Sequence, residues 1–214
     1  MAAVAAGLRR PIAAVDRVCE TVATQGQFLR AAGLEIWPDG TRSGRYQFRH
    51  ALYYQVCYAR LGVARRVHLH DQIAARLEAG YGTQARTREA ELAVHYAHGL
   101  EPARSLVYRR YAGETALRRY AYPEALAHCT AGIETYATLP PTPALTTEAL
   151  ALWLTLGATR LATEGFASPA VAQAYRHAYG LAQALGAGRH AADVPGLVWP
   201  GELLSGASGV WDSV

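Results

Sequence analysis

Residues 26–61, GQFLRAAGLEIWPDGTRSGRYQFRHALYYQVCYARL, constrain the fold more than any other stretch, because they read as a small β-hairpin running straight into an amphipathic helix. Phe28-Leu29 and residues 34–37 are short β-prone runs, Pro38-Asp39-Gly40 is a turn signal, and residues 45–48 alternate polar and apolar as a return strand does. The spacing predicts a hairpin near 34–48 and a helix over 50–60, with Leu52, Tyr53, Val56 and Cys57 forming one face, an arrangement that suggests a wing and a docking helix. Before the hairpin, Pro11 suits a first helical turn, and Ile12, Val15, Val18, Cys19 and Val22 recur at three-to-four spacing, which predicts a helix over 11–24 with one buried stripe. A further helix is expected over 64–78, with Val67, Ile73, Ala74 and Leu77 inward.

Composition excludes several function classes. With 214 residues, of which 51% are hydrophobic, the chain can bury a core of one or two domains. It contains no lysine, so the net charge of +4 comes from arginine, and a Walker A phosphate loop, which needs its lysine, cannot be formed. Arginines alternate with Asp and Glu along most helices, the pattern of a solvated face, and such arginine-rich composition also follows from GC-rich coding DNA. Cys19, Cys57 and Cys129 are isolated and odd in number, each within an apolar pattern, which predicts small buried side chains in a reducing, cytoplasmic compartment. The opening MAAVAAGLRRP has its arginines after the apolar run, the wrong order for a secretory signal, and no run reaches membrane-spanning length.

From Thr87 the pattern is purely helical, in pairs divided by breakers at 99–102, 121–123, 139–143 and 165–169. In GETALRRYAYPEAL, Gly113 stands where a helix meets its neighbour, Tyr120 and Tyr122 at the turn, and Ala125 where the next helix packs closely. This resembles tetratricopeptide logic, with a looser copy at Gly157, Phe166 and Ala174, although the interval exceeds the usual ~34-residue period.

Taken together, the strings QFLRA, WPDGT, RYQFRHALYYQV, ARRVHLHDQIAARLE, ELAVHYAHG, PARSLVYRRYAGETALRRYAYPEALAHCTAGIETYATLP and LATEGFASPAVAQAYRHA resemble one family. It is the STAND-type predicted ATPases of bacteria, large signalling regulators in which an adenylate or guanylate cyclase domain often stands in front and a tetratricopeptide array behind. The resemblance runs from about Ala2 to Leu185 and is most specific over 46–58. It implies a mainly α fragment: a partial winged-helix-like segment over 1–80, then tetratricopeptide-like helix pairs over 81–186. The nucleotide-binding residues lie upstream in that family, so none is carried onto this chain. The implied role is non-catalytic, with repeats sensing a ligand or protein partner and the winged segment relaying movement to an ATPase module.

Both ends depart from the family's pattern. Met1 falls inside the winged segment, and residues 187–214 lose helical periodicity, which reads either as out-of-frame text of a frameshifted or decayed gene or as a genuine irregular tail. Apolar faces over 2–8 and 170–185 are expected to lack neighbours and to promote self-association.

Candidate chemistry is sparse. His68 and His70 diverge on a helix, His95 and His98 can share a face, and neither pair has the further ligands a metal needs, so both read as surface or capping histidines. Glu89 and Glu91 before His95 do not make HExxH, and no GxSxG or GxGxxG occurs. No catalytic, cofactor or metal residues are assigned, and no ATP turnover is expected. The many tyrosines read chiefly as helix packing; if a peptide groove exists, Tyr108 and Arg109 are the expected exposed pair. The rival from another class is a DNA-binding winged helix. The polar face of helix 11–24 offers Asp16, Arg17, Glu20 and Thr21, acidic or neutral overall, and Arg42 and Arg45 in the wing are a thin phosphate footprint. An enzyme fragment of an ATPase or cyclase is the third reading.

Overall fold

The computed structural model describes residues 1–186, so the tail expected over 187–214 lies outside the described residues. Local chemistry explains most element boundaries. Helix α1 (Ala2–Gly7) precedes α2 (Ile12–Thr24), which Pro11 enters with its ring-fixed φ of −58° and which ends before Gly26 at φ 71°. Strands β1 (Leu29–Ile36) and β2 (Arg42–Phe48) pair antiparallel, from Leu29 opposite Phe48 to Ile36 opposite Arg42. The ladder is irregular between Ala31 and Leu34, where Gly33 takes a φ of 100° that few other residues tolerate, so β1 runs through a segment that reads in sequence as a gap. Asp39 closes the turn by accepting from Thr41 N at 2.9 Å.

Helix α3 (Ala51–Ala59) is capped by His50, whose Nδ1 accepts from Leu52 N at 3.1 Å. Next come α4 (Val63–Tyr81), a 3-10 segment (Gly82–Arg88), α5 (Glu89–His98), α6 (Pro102–Arg118), α7 (Tyr122–Ala137), α8 (Pro143–Glu164) and α9 (Pro169–Ala184). All four expected breakers fall at the junctions between α5 and α9, and proline stands in the first turn of each helix that follows one. Among the described residues the fold is mainly helical with one small antiparallel sheet.

From α5 onward each helix packs on the next, and α6 also meets α8. Small residues set these approaches. A Cβ on Gly113 would come within 2.9 Å of Cys129 Sγ, and one on Gly157 within 3.0 Å of the Tyr175 ring. Leu106, Cys129, Leu152 and Leu156 fill the middle of this stack. A separate apolar cluster joins Trp37 in the hairpin turn to Leu77, Tyr81, Leu92, Tyr96 and Tyr108, so the hairpin and the first helices share one core across positions 80 and 81.

Several expected burials are overturned. Helix α3 buries no residue, and Leu52 is 58% exposed. Phe28 and Phe48 of the hairpin stand against its Tyr53 and Tyr54 at 5.0 and 6.1 Å, and Tyr58 at its end reaches His70 of the helix that follows, while among the described residues no second layer covers the rest. Cys57 is accordingly exposed, Cys19 is half-buried, and only Cys129 is buried. On α2 only Val15 is buried, and Val18 is exposed, because α2 leans on the hairpin along a narrow line. Conversely, the faces expected to be bare are covered in part: Ala2 and Ala5 are buried, with α1 packed against α4, and Val171, Ala174, Ala178 and Ala182 are buried, with α9 packed on α8.

Candidate interaction site

The turn half of the hairpin is locked to α4. Trp37 alternates with Ile36 along β1 and its continuation, so its ring faces the helices, where it is 3% exposed. The ring lies 5.3 Å from Tyr81, and the Arg76 guanidinium stands 4.7 Å above it. Arg76 Nη2 also donates to Asp39 Oδ2 at 2.9 Å and Thr41 Oγ1 at 2.6 Å, and Asp39 N donates to Gly80 O at 3.2 Å. Hydrogen bonds from Thr41, with Arg76 adding, hold the Asp39 carboxyl below its ordinary range. One strand position back, Glu35 pairs with Arg88. Burial works to raise the Glu35 carboxyl, but the hydrogen bond and charge of Arg88 outweigh it and leave it lowered.

The opposite strand face is open at its turn end, while further along it Tyr46 meets α2, donating from Oη to Asp16 O at 3.3 Å. Leu34 and Ile36 alternate with Glu35 and Trp37, point away from the helices, and are 66% and 61% exposed. This reverses the ordinary strand, which turns its polar side to water. Phe48, Leu52, Tyr54 and Val56 form a second group of exposed apolar side chains at the other end of β2 and on α3. Exposed large apolar side chains scattered singly are unremarkable, but a contiguous run of them marks a contact surface.

A hydrogen-bond chain ties α3 to the stack. Tyr58 Oη meets His70 Nε2 at 2.9 Å, and His70 Nδ1 meets His95 Nδ1 at 3.0 Å, linking α3, α4 and α5. His70 of α4 therefore meets both histidines of α5, His95 through the hydrogen bond and His98 ring to ring at 5.2 Å. His68 and His98 are the exposed members of the pairs expected from sequence. Both facing Nδ1 atoms cannot carry protons at once, so the chain requires at least one neutral ring. Burial, with the charges of His70 and His98 adding, holds His95 down at about 4. Burial, then His98 and Arg66, lowers His70.

Because the folded state disfavours charged His95, its contribution to stability is full above pH ~6.5 and is lost as pH falls toward about 4. We expect roughly 1–2 kcal/mol of this loss by pH 5. Urea unfolding at pH 7 and pH 5 checks it: His95→Gln should remove most of the difference, and an undiminished difference would assign the loss to other groups.

Tyr108 and Arg109 do not form an exposed pair. Neighbours on a helix diverge by about 100°, and here they enter different packing layers. Tyr108 is 7% exposed, stacks on Tyr96 with centroids 5.7 Å apart, and donates from Oη to Glu78 Oε1 at 2.5 Å. Arg109 is half-buried with Nη1 3.3 Å from His128 Nδ1, and burial lowers its pKa from the ordinary arginine value. Tyr108 does edge a groove of 390 Å³ that includes Glu78, Thr83, Arg86, Arg104 and Tyr111. Its chemistry is largely spent internally. Glu78 accepts from Tyr96, Tyr108 and Arg104, and the Tyr111 ring has Arg86 at 3.9 Å and Arg110 at 4.3 Å. Sequence reasoning missed Trp37, Arg76 and Glu78 as organising residues; Trp37 beside a turn signal was the one legible hint.

Among the described residues, no group of three or more His, Cys, Asp or Glu is placed to hold a metal ion, and no helix is long and apolar enough to cross a membrane. Comparison with known family profiles, with curated proteins and with solved structures gives no significant match.

Proposed function

We propose that this chain is a non-catalytic interaction and signal-relay part of a multidomain STAND-type signalling ATPase. The helical stack senses a ligand or protein partner, and the hairpin with α3 docks a neighbouring protein module. The observation that supports this best is an apolar strand face and an apolar helix left open on a hairpin whose turn is locked to the stack. Such a part passes on movement: a shift of α4 reaches the docking face through the Arg76–Asp39 clamp and the Tyr58–His70 bond. Nucleotide, in this reading, belongs to the upstream module and not to this chain.

A second reading, nucleic-acid binding, draws on the exposed arginines of the hairpin. Against it, one residue of the α2 face that would enter a DNA groove, Asp16, is engaged with β2. Asp16 Oδ2 accepts from Gly44 N at 3.1 Å, and Asp16 O accepts from Tyr46 Oη at 3.3 Å. An enzyme fragment ranks third. Site-specific photo-crosslinking separates these readings: a photoreactive side chain at position 52 should give protein adducts in cells, whereas nucleic-acid adducts alone, or none, would reject the interaction reading.

A further inference from the structure

The open face is basic as well as apolar. Residues 26–66 hold seven of the 21 arginines and only two of the 17 carboxylates, a surplus of five in a chain whose net charge is +4. Both carboxylates are neutralised by arginines from outside the stretch, Glu35 by Arg88 and Asp39 by Arg76. Arg30, Arg42, Arg49, Arg60 and Arg65 are exposed and form no ion pair among the described residues. Uncompensated cations therefore stand in the hairpin and on either side of the helix that expose Leu34, Ile36, Leu52 and Val56.

We infer that this face binds an acidic protein segment presenting apolar side chains, such as an amphipathic helix with Asp or Glu beside its apolar stripe. The inference rests on the interaction reading above and names the chemistry of its partner. Charge complementarity selects an acidic partner and speeds its encounter. The aliphatic side chains decide between macromolecules: a phosphate backbone gains nothing from covering Leu34, Ile36, Leu52 and Val56, whereas an apolar stripe removes that area from water. A second copy of the chain is disfavoured, because it would set one uncompensated arginine cluster against another.

The test is fluorescence anisotropy with three labelled probes on the whole chain: an amphipathic helical peptide with glutamate along its polar face, the same peptide with glutamine there, and oligothymidine. Saturable binding of the glutamate peptide is expected, weakened about 10-fold or more by glutamine, by R49E/R60E and by L52S/V56S. All substituted side chains are exposed, so the far-UV melting curve should be unchanged and a loss of binding reports the surface. Tighter binding of oligothymidine than of the glutamate peptide overturns the inference in favour of nucleic acid. Equal binding of the two peptides, insensitivity to both double variants, or no saturable binding also overturns it. If protein adducts form at position 52 while the glutamate peptide fails to bind, the acidic partner is rejected and the interaction reading stands.

Discussion

Trp37→Ala should cost about 3–5 kcal/mol and detach the hairpin from α4. The indole is almost wholly buried, touches Tyr81, and supports Arg76, which in turn holds Asp39 and Thr41. Its loss leaves a cavity at the seam between the sheet and α4, where Trp37 is the hairpin's one member of the buried apolar cluster. The neighbouring Ile36→Ala is the control: an exposed side chain at the next strand position should change stability by no more than about 0.5 kcal/mol. Urea unfolding of both variants, with hydrogen exchange across β1 and β2, measures the contrast. Comparable losses at the two positions would contradict the assignment of inner and outer strand faces.

The second large effect is expected at Glu78, where alanine should cost about 2–4 kcal/mol. Its carboxylate accepts from the Tyr96 and Tyr108 hydroxyls and from Arg104, so truncation strands two largely buried phenols and a guanidinium together. Burial by itself raises the Glu78 carboxyl, but bonds from Tyr108 and Tyr96 and the charge of Arg104 prevail and leave it lowered. The same environment raises both phenols: burial first, then the hydrogen bond to Glu78. A carboxylate lowered in the folded state contributes stability above its unfolded pKa of roughly 4.3 and loses it as pH falls through the folded value. Acid titration of wild type against Glu78→Ala should therefore converge at low pH. Convergence of Tyr96→Phe/Tyr108→Phe with Glu78→Ala in a double-mutant cycle would confirm that the three act as one unit, and additive losses would contradict it.

The helical stack was the legible part of this fold, because proline and glycine act locally. Pro102, Pro123, Pro143 and Pro169 each stand in the first turn of a helix, and Gly113 and Gly157 lie where neighbours leave no room for a Cβ. Helix α3 was misread for an instructive reason. Its periodicity reports that one face is apolar, not that the covering partner lies in the same chain, so Cys57 read as a buried side chain and stands in solvent with Leu52 and Val56. The His70–His95 link was out of reach for another reason: the two residues are 25 positions apart, and only the packing of α4 on α5 brings them together. Trp37 and Glu78 are out of reach for the same reason, since each is organised by partners on other elements. Tyr108 and Arg109 failed as a pair because adjacency in sequence separates side chains on a helix.

The central claim is that the outer hairpin face and α3 are a protein-docking surface carried by a rigid stack. Its most direct measurement is a comparison of in-cell photo-crosslinking from position 52 on α3 with crosslinking from position 134, where Glu134 is exposed on α7. The account predicts a discrete protein adduct from position 52 that disappears when Trp37→Ala releases the hairpin, and a weaker or different pattern from position 134. Equal adducts from both positions, or an adduct at 52 that survives loss of the Trp37 anchor, would contradict it.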